Sequence, residues 1–94
     1  MAPFLEKEAE RYLSQVSEWK LDSNAKKISK EFTFKNFLEA MHFVEEVAKI
    51  AESEGHHPDI FIHYNKVILT LWTHAIGGLS ENDFIVAAKV NLLK

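Results

Sequence analysis

Glu52-Ser53-Glu54-Gly55-His56-His57-Pro58-Asp59-Ile60-Phe61-Ile62-His63-Tyr64-Asn65-Lys66-Val67-Ile68-Leu69-Thr70-Leu71-Trp72-Thr73-His74 changes its hydrophobic period from that of a helix to that of a strand within a few residues. Gly55 is a helix-stopping residue, and Pro58 forbids continuation because it lacks an N–H and fixes φ. Beyond it, Ile60–Tyr64 and Val67–Thr73 read as two strands joined through Asn65-Lys66, asparagine tolerating the positive φ of a two-residue turn. In the second strand Val67, Leu69 and Leu71 fall on one face, and Ile68, Thr70, Trp72 and His74 on the other.

Working backwards, Asn36 to Ser53 reads as one long helix. Asn36 is placed to cap it, and Glu39 three positions on completes a capping-box pattern. At 100° per residue, Phe37, Ala40, Met41, Phe43, Val44, Val47, Ala48, Ile50 and Ala51 spread over roughly half the helical wheel. A helix resting only on its own sheet needs a narrower stripe, so part of this surface is expected to meet another subunit. Earlier still, Leu5, Ala9, Tyr12, Leu13 and Val16 predict a helix over Phe4–Val16. Two strands are expected next, Glu18–Leu21 and Lys27–Phe34, joined by the turn formers Asp22, Ser23 and Asn24. Ile28, Phe32 and Phe34 share parity in the second of these. Working forwards, Gly77-Gly78 breaks the last strand, and Ser80 with Asp83 caps a final helix carrying Phe84, Ala87, Ala88, Val90 and Leu92.

The order is αββαββα. Four antiparallel strands cannot bury both faces by themselves, so the three helices are expected to pack on one face of the sheet. The expected fold class is α+β, in a single domain spanning 1–94, which suits a chain of 94 residues with three glycines and two prolines.

Composition removes several functions. With no cysteine, disulfides, thiolate catalysis and cysteine-ligated metal sites are excluded. Eleven basic residues against fourteen acidic give a formal charge of −3. The densest basic run, Lys26, Lys27 and Lys30, is interrupted by Ile28 and answered by Glu31, so no nucleic-acid partner is expected. No run approaches the apolar length of a membrane span, and the first ten residues lack a secretory apolar core. The expectation is a soluble, cytoplasmic protein with no membrane partner.

Four of the five histidines, His56, His57, His63 and His74, fall within nineteen residues, beside Glu52 and Asp59. If the hairpin strands pair normally, the end of the second strand lies near the segment entering the first. His56, His57 and His74 are thereby brought together. Imidazoles titrating near neutrality suit proton transfer. Metal binding is the weaker alternative, because adjacent ligands such as His56 and His57 fit poorly in one tetrahedral site and an HExxH spacing is absent. Trp72 and Tyr64 are available to stack on an aromatic heterocycle. Asp83 reads as a helix cap, His63 as a solvated or interface strand residue, and His42 as part of a polar helix face.

Glu52, His56-His57-Pro58, Tyr64, His74 and Asp83 are seven positions at set separations across 32 residues. In this pattern the chain resembles the pterin-4a-carbinolamine dehydratase family. Tyr64-Asn65-Lys66-Val67, Thr73-His74 and Gly78-Leu79-Ser80-Glu81 extend the similarity over nearly the whole chain. Ile60, Ile62, His63 and Trp72 depart from the family's usual residues. The resemblance implies dehydration of a 4a-hydroxytetrahydropterin to a quinonoid dihydropterin, without metal or organic cofactor. His56 and His74 would be the acid/base pair and His57 a ring-binding or water-holding partner. Glu52 would orient a histidine and favour its charged form. Gly55, Thr73 and Ala75 would line the pocket beside the histidines; Pro58 and Trp72, the latter by stacking and not by likeness to the family, are expected to join them in binding the pterin. It also implies a homodimer or homotetramer built by sheet continuation and helix packing, working beside an aromatic amino-acid hydroxylase. Two alternatives accompany it: a non-catalytic module that binds a transcription factor's dimerisation helices, and a relative acting in another pterin pathway such as molybdopterin metabolism.

Overall fold

The computed structural model describes residues 2–94. Its elements run α1 (Glu6–Leu13), β1 (Lys20–Leu21), β2 (Ile28–Thr33), α2 (Phe37–Glu54), β3 (Asp59–His63), β4 (Lys66–Leu71), a 3₁₀ turn (His74–Ile76) and α3 (Glu81–Asn91). The strands form one antiparallel sheet in the order β1-β2-β4-β3. The expected α+β architecture is the one observed.

Alternation along β2 and β4 decides which face is covered. Ile28 pairs with Leu71 and Phe32 with Val67, and these four side chains are buried together with Leu69. Against them pack Ala40, Phe43 and Val47 of α2, Phe84, Val86, Ala87 and Val90 of α3, and Ala9 of α1. Phe43 bridges sheet and helix, its ring 4.6 Å from Phe32 and 4.9 Å from Phe34. Each large apolar side chain buried in this layer contributes about 1.5–3 kcal/mol. The other face carries Ser29, Glu31, Ile68, Thr70 and Phe61, and among the described residues no helix covers it.

Helix α2 forms as expected. The Asn36 side chain accepts from the Glu39 N–H at 2.9 Å, while the Glu39 carboxylate reaches back one residue further than a capping box requires, to Lys35 N–H at 3.2 Å. Of the broad apolar arc, Ala40, Phe43, Val47 and Ala51 are buried, and Met41, Val44 and Ile50 are partly buried against the core. Phe37 and Ala48 are exposed.

Five local expectations are corrected. The β3–β4 turn is Tyr64-Asn65 rather than Asn65-Lys66, since His63 pairs with Lys66. Asn65 is already committed to the end of β2, donating from its amide to Phe34 O and accepting the Phe34 N–H, both at 2.8 Å. The left-handed conformation therefore falls on Tyr64, at φ 51°. Strand β1 is two residues long rather than Glu18–Leu21, because Glu18 adopts φ 66°. Beyond that kink Trp19 enters the core and donates from its indole to Asn91 at 2.9 Å.

The β1–β2 turn is wider than Asp22-Ser23-Asn24: Asp22 accepts from both Lys26 and Lys27 N–H, and Ala25 takes φ 56°. Finally, α1 starts only at Glu6 and ends at Leu13. Leu5 is exposed, its N–H bonded to the Glu8 carboxylate, and Phe4 takes the inward place instead, stacked 4.8 Å from Tyr12. In α3 likewise Val86 is buried, whereas Ala88 and Leu92 are exposed.

Candidate active site

The end of α2 builds one wall of the site. Gly55 closes the helix at φ 63°, with its N–H directed to Glu52 O and the His56 N–H to Ala51 O. This paired closure leaves His56 and His57 emerging from the helix end, with Glu52 one turn behind. Pro58 then directs the chain into β3.

The end of β4 builds the other wall. Thr73 bridges back to Gly78, its N–H on Gly78 O at 2.8 Å, and encloses the 3₁₀ turn that begins with His74. Gly78 must lack a side chain, because a Cβ there would lie 2.7 Å from the Pro3 ring. Phe4 N–H to Leu79 O, at 2.8 Å, ties the N-terminal segment behind this loop.

Between these walls lies an open cavity of about 440 Å³, lined by Gly55, His56, His57, Pro58, Asp59, Trp72, Thr73, His74 and Ala75. The structure thus brings together all eight residues expected to contact a ligand. Glu52 stands outside the lining and reaches it through His57. Tyr64 is exposed at the far end of the β3–β4 hairpin and takes no part.

Each histidine is held differently. His56 Nε2 lies 2.5 Å from Asp83 Oδ1, and the Asp83 side chain is 0% exposed. The other carboxylate oxygen accepts from Ser80 N–H and from the Thr73 hydroxyl, each at 2.9 Å. Because the single Thr73 proton goes to Asp83, the Ser80 hydroxyl donates to Thr73 Oγ1 at 2.7 Å. Asp83 is therefore a cap, as expected, and also the anchor of His56, which the sequence reading did not assign. Its spacing from Ser80 accounted for one carboxylate oxygen and gave no sign of the other's partner.

His57 Nε2 lies 2.5 Å from Glu52 Oε2, in a pair exposed to water on both sides. An acceptor opposite Nε2 holds the proton there and leaves Nδ1 as the second functional atom, in His57 as in His56. His74 makes no hydrogen bond through its ring among the described residues. Its imidazole instead stacks on Trp72, with ring centroids 3.9 Å apart and planes inclined by 30°. Among the described residues no group of three or more His, Asp or Glu side chains is arranged to hold a metal ion, and no helix is long and apolar enough to cross a membrane.

Strand β3 is the sheet edge next to this site. All five of its residues are exposed, including Ile60, Phe61 and Ile62.

Comparison with known proteins bears on the family and the fold. The family model for pterin 4 alpha carbinolamine dehydratase matches residues 2–93. A protein of Halorhodospira halophila, whose name as a pterin-4-alpha-carbinolamine dehydratase is itself provisional, is 48% identical over 93 residues, covering 99% of this chain and 85% of that one. Among solved structures, one described as a transcriptional coactivator/pterin dehydratase from Brucella melitensis superposes with a TM-score of 0.91. It is 34% identical and covers 97% of each chain. A second, a pterin dehydratase-like protein described as a RuBisCO assembly factor in the alpha-carboxysome, gives a TM-score of 0.69 at 25% identity, covering 81% of this chain and 88% of that one. With its fold, its histidine cavity and a family match along nearly its whole length, the chain belongs to the pterin-4α-carbinolamine dehydratase family.

Proposed function

We propose that the cavity dehydrates a 4a-hydroxytetrahydropterin to the quinonoid dihydropterin by histidine acid/base catalysis, in recycling of a tetrahydropterin. The observation that carries this reading is the convergence of His56, His57 and His74 on one open cavity of about 440 Å³. The N5 lone pair of the substrate forms the C4a=N5 bond as the C4a–O bond breaks. Hydroxide is a poor leaving group, so an acid must protonate it, while a base takes the N5 proton; water and the quinonoid product result. Each positioned group is typically worth about 10²–10⁴-fold.

With Nε2 tied to Asp83, His56 offers Nδ1 as an acceptor and suits the base. His74, whose ring nitrogens make no hydrogen bond among the described residues, is left to protonate the departing hydroxyl. His57, oriented by Glu52, suits a water- or ring-holding role, and Gly55, Pro58, Trp72, Thr73 and Ala75 shape the cavity. Stopped-flow dehydration of 4a-hydroxytetrahydropterin is the test. His56→Ala and His74→Ala should each slow it by about 10²-fold or more with melting temperature retained; wild-type rates in both would overturn the reading.

The partner reading follows from β3. An apolar edge strand without proline or lysine is open to pairing with another chain, and the exposed side of α2 offers further apolar surface. A second copy joined edge to edge through β3 suits it best. Sedimentation should give a dimer or larger assembly at micromolar concentration, and Phe61→Lys should shift it toward monomer. A second reading, a protein-interaction module, draws on the same bare surface and on the coactivator and assembly-factor descriptions of the two structural relatives. A wild-type chain inactive toward the pterin would favour it.

A further inference from the structure

The three cavity histidines are not fastened alike. His56 and His57 are each held through a ring nitrogen by a carboxylate, whereas His74 is exposed and its ring nitrogens make no hydrogen bond among the described residues. An exposed imidazole at the start of a short 3₁₀ turn would ordinarily populate several rotamers. What restrains this one is the indole of Trp72, stacked at 3.9 Å.

That indole is itself braced from both neighbouring strands. On the β3 side its Nε1–H donates to Asp59 Oδ2, a long contact of 3.4 Å. On the β2 side Lys27, the residue before Ile28, holds its ammonium 4.7 Å from the centre of the Trp72 ring, within cation–π range. The register explains the arrangement. Asp59 pairs with Thr70, and Ile28 pairs with Leu71, so an acid and a base flank the side chain that follows β4. An indole meets both at once, with an N–H for the acid and a π face for the base.

We infer that Trp72 is the positioning residue for His74, clamped between Asp59 and Lys27 so that it fixes the imidazole through its ring face and leaves both nitrogens free for proton exchange. This rests on the dehydratase reading of the cavity, in which His74 meets the substrate. Holding a catalytic ring by its face differs in consequence from holding it by Nε2. One nitrogen stays available to substrate and the other to water, so a proton given up on one side can be replaced on the other. A shift of about 1 Å in a reacting group costs on the order of 10²-fold, so a loosened His74 should show as a loss of turnover.

Trp72→Leu and Trp72→Phe separate the possibilities, read by dehydration kinetics and by the His74 ring-proton resonances. The indole's ring current should displace those resonances upfield in the wild type. Trp72→Leu should abolish the displacement and lower kcat by about ten- to hundredfold with KM within about twofold. Trp72→Phe, which keeps a stacking face, should recover most of both. A raised KM with kcat preserved would assign the indole to substrate binding and overturn the inference, as would unchanged His74 resonances in Trp72→Leu. Should Trp72→Leu fail to fold, Asp59→Asn combined with Lys27→Met keeps the indole and removes its braces. Movement of the His74 resonances with a several-fold fall in kcat is then expected, and no change in either would overturn the clamp. The resonances require no turnover. A wild-type chain inactive toward the pterin would sink the dehydratase reading, while the ring shifts would still decide whether the indole holds His74.

Discussion

His56–Asp83 and His57–Glu52 are adjacent imidazole–carboxylate pairs with the same separation, 2.5 Å, yet they are physically different objects. Asp83 is fully buried and all its partners are protein groups, whereas the Glu52 and His57 side chains are 78% and 59% exposed. In water, a carboxylate that loses its imidazole is rehydrated at once and little is lost, about 0–1 kcal/mol. In the interior no water stands by, and removing one member of a pair strands the rest. Contact length says what touches; surroundings decide what the contact is worth. One pair is a rigid anchor for His56, and the other is an adjustable tether for His57.

The largest effect expected from breaking this contrast is at Asp83. A carboxylate accepts on both oxygens, and here both are used. In Asp83→Asn only one terminal atom accepts. Either the Ser80 N–H and Thr73 hydroxyl face an NH₂ group, or His56 Nε2 does and the ring must change tautomer. Urea unfolding should show a loss of about 1–3 kcal/mol, and the dehydration rate should fall with it. Asp83→Ala should cost about 3–5 kcal/mol. A midpoint equal to wild type in both variants would mean that the pair is not the anchor its burial indicates.

A change at Gly55 should act on both pairs together. The residue sits at φ 63°, and a Cβ there would meet nothing within 4 Å. Gly55→Ala therefore introduces backbone strain without steric collision, about 1–2 kcal/mol. Because the closure at Gly55 directs His56 and His57 out of the helix, crystallography of the variant should find both rings displaced. Retention of both 2.5 Å contacts would show that the two carboxylates hold the rings without help from the helix cap.

The fold was legible because its signals are local. Asn36, Gly55 and Pro58 delimit α2 wherever the rest of the chain lies, and parity along Ile28–Phe34 and Val67–Leu71 selects the covered face. The gathering of His56, His57 and His74 was legible too, since a hairpin returns its second strand to the start of its first. What escaped depends on commitments made across the sheet. Asn65 looks like a free turn residue until β2 claims its amide, and the left-handed conformation passes to Tyr64. Glu18 gives no sign of a kink that exists to turn Trp19 inward. Asp83 is 27 residues from His56, and its capping role was a sufficient explanation that concealed a second one. The Trp72–His74 stack follows two residues of the same parity, but its braces from Asp59 and Lys27 require the register of three strands.

The smallest effect, and the sharpest discriminator, belongs to the exposed pair. Glu52→Gln replaces a charged acceptor with a neutral one of the same shape, and its amide oxygen still reaches His57 Nε2. Stability should change by less than about 0.5 kcal/mol, and dehydration by less than about tenfold, because orientation survives while charge is lost. Salt offers the same cut without mutation. At 1 M ionic strength the screening length shrinks to about 3 Å, and exposed charges lose most of their attraction whereas buried ones do not. The His57 ring resonances should therefore move between low and high salt, and those of His56 should stay in place. In Glu52→Gln the salt response of His57 should largely vanish, since the charge that salt screens has gone. Equal salt responses at both histidines would mean that Asp83 is reached by solvent ions, and the distinction between anchor and tether would fail at its physical root.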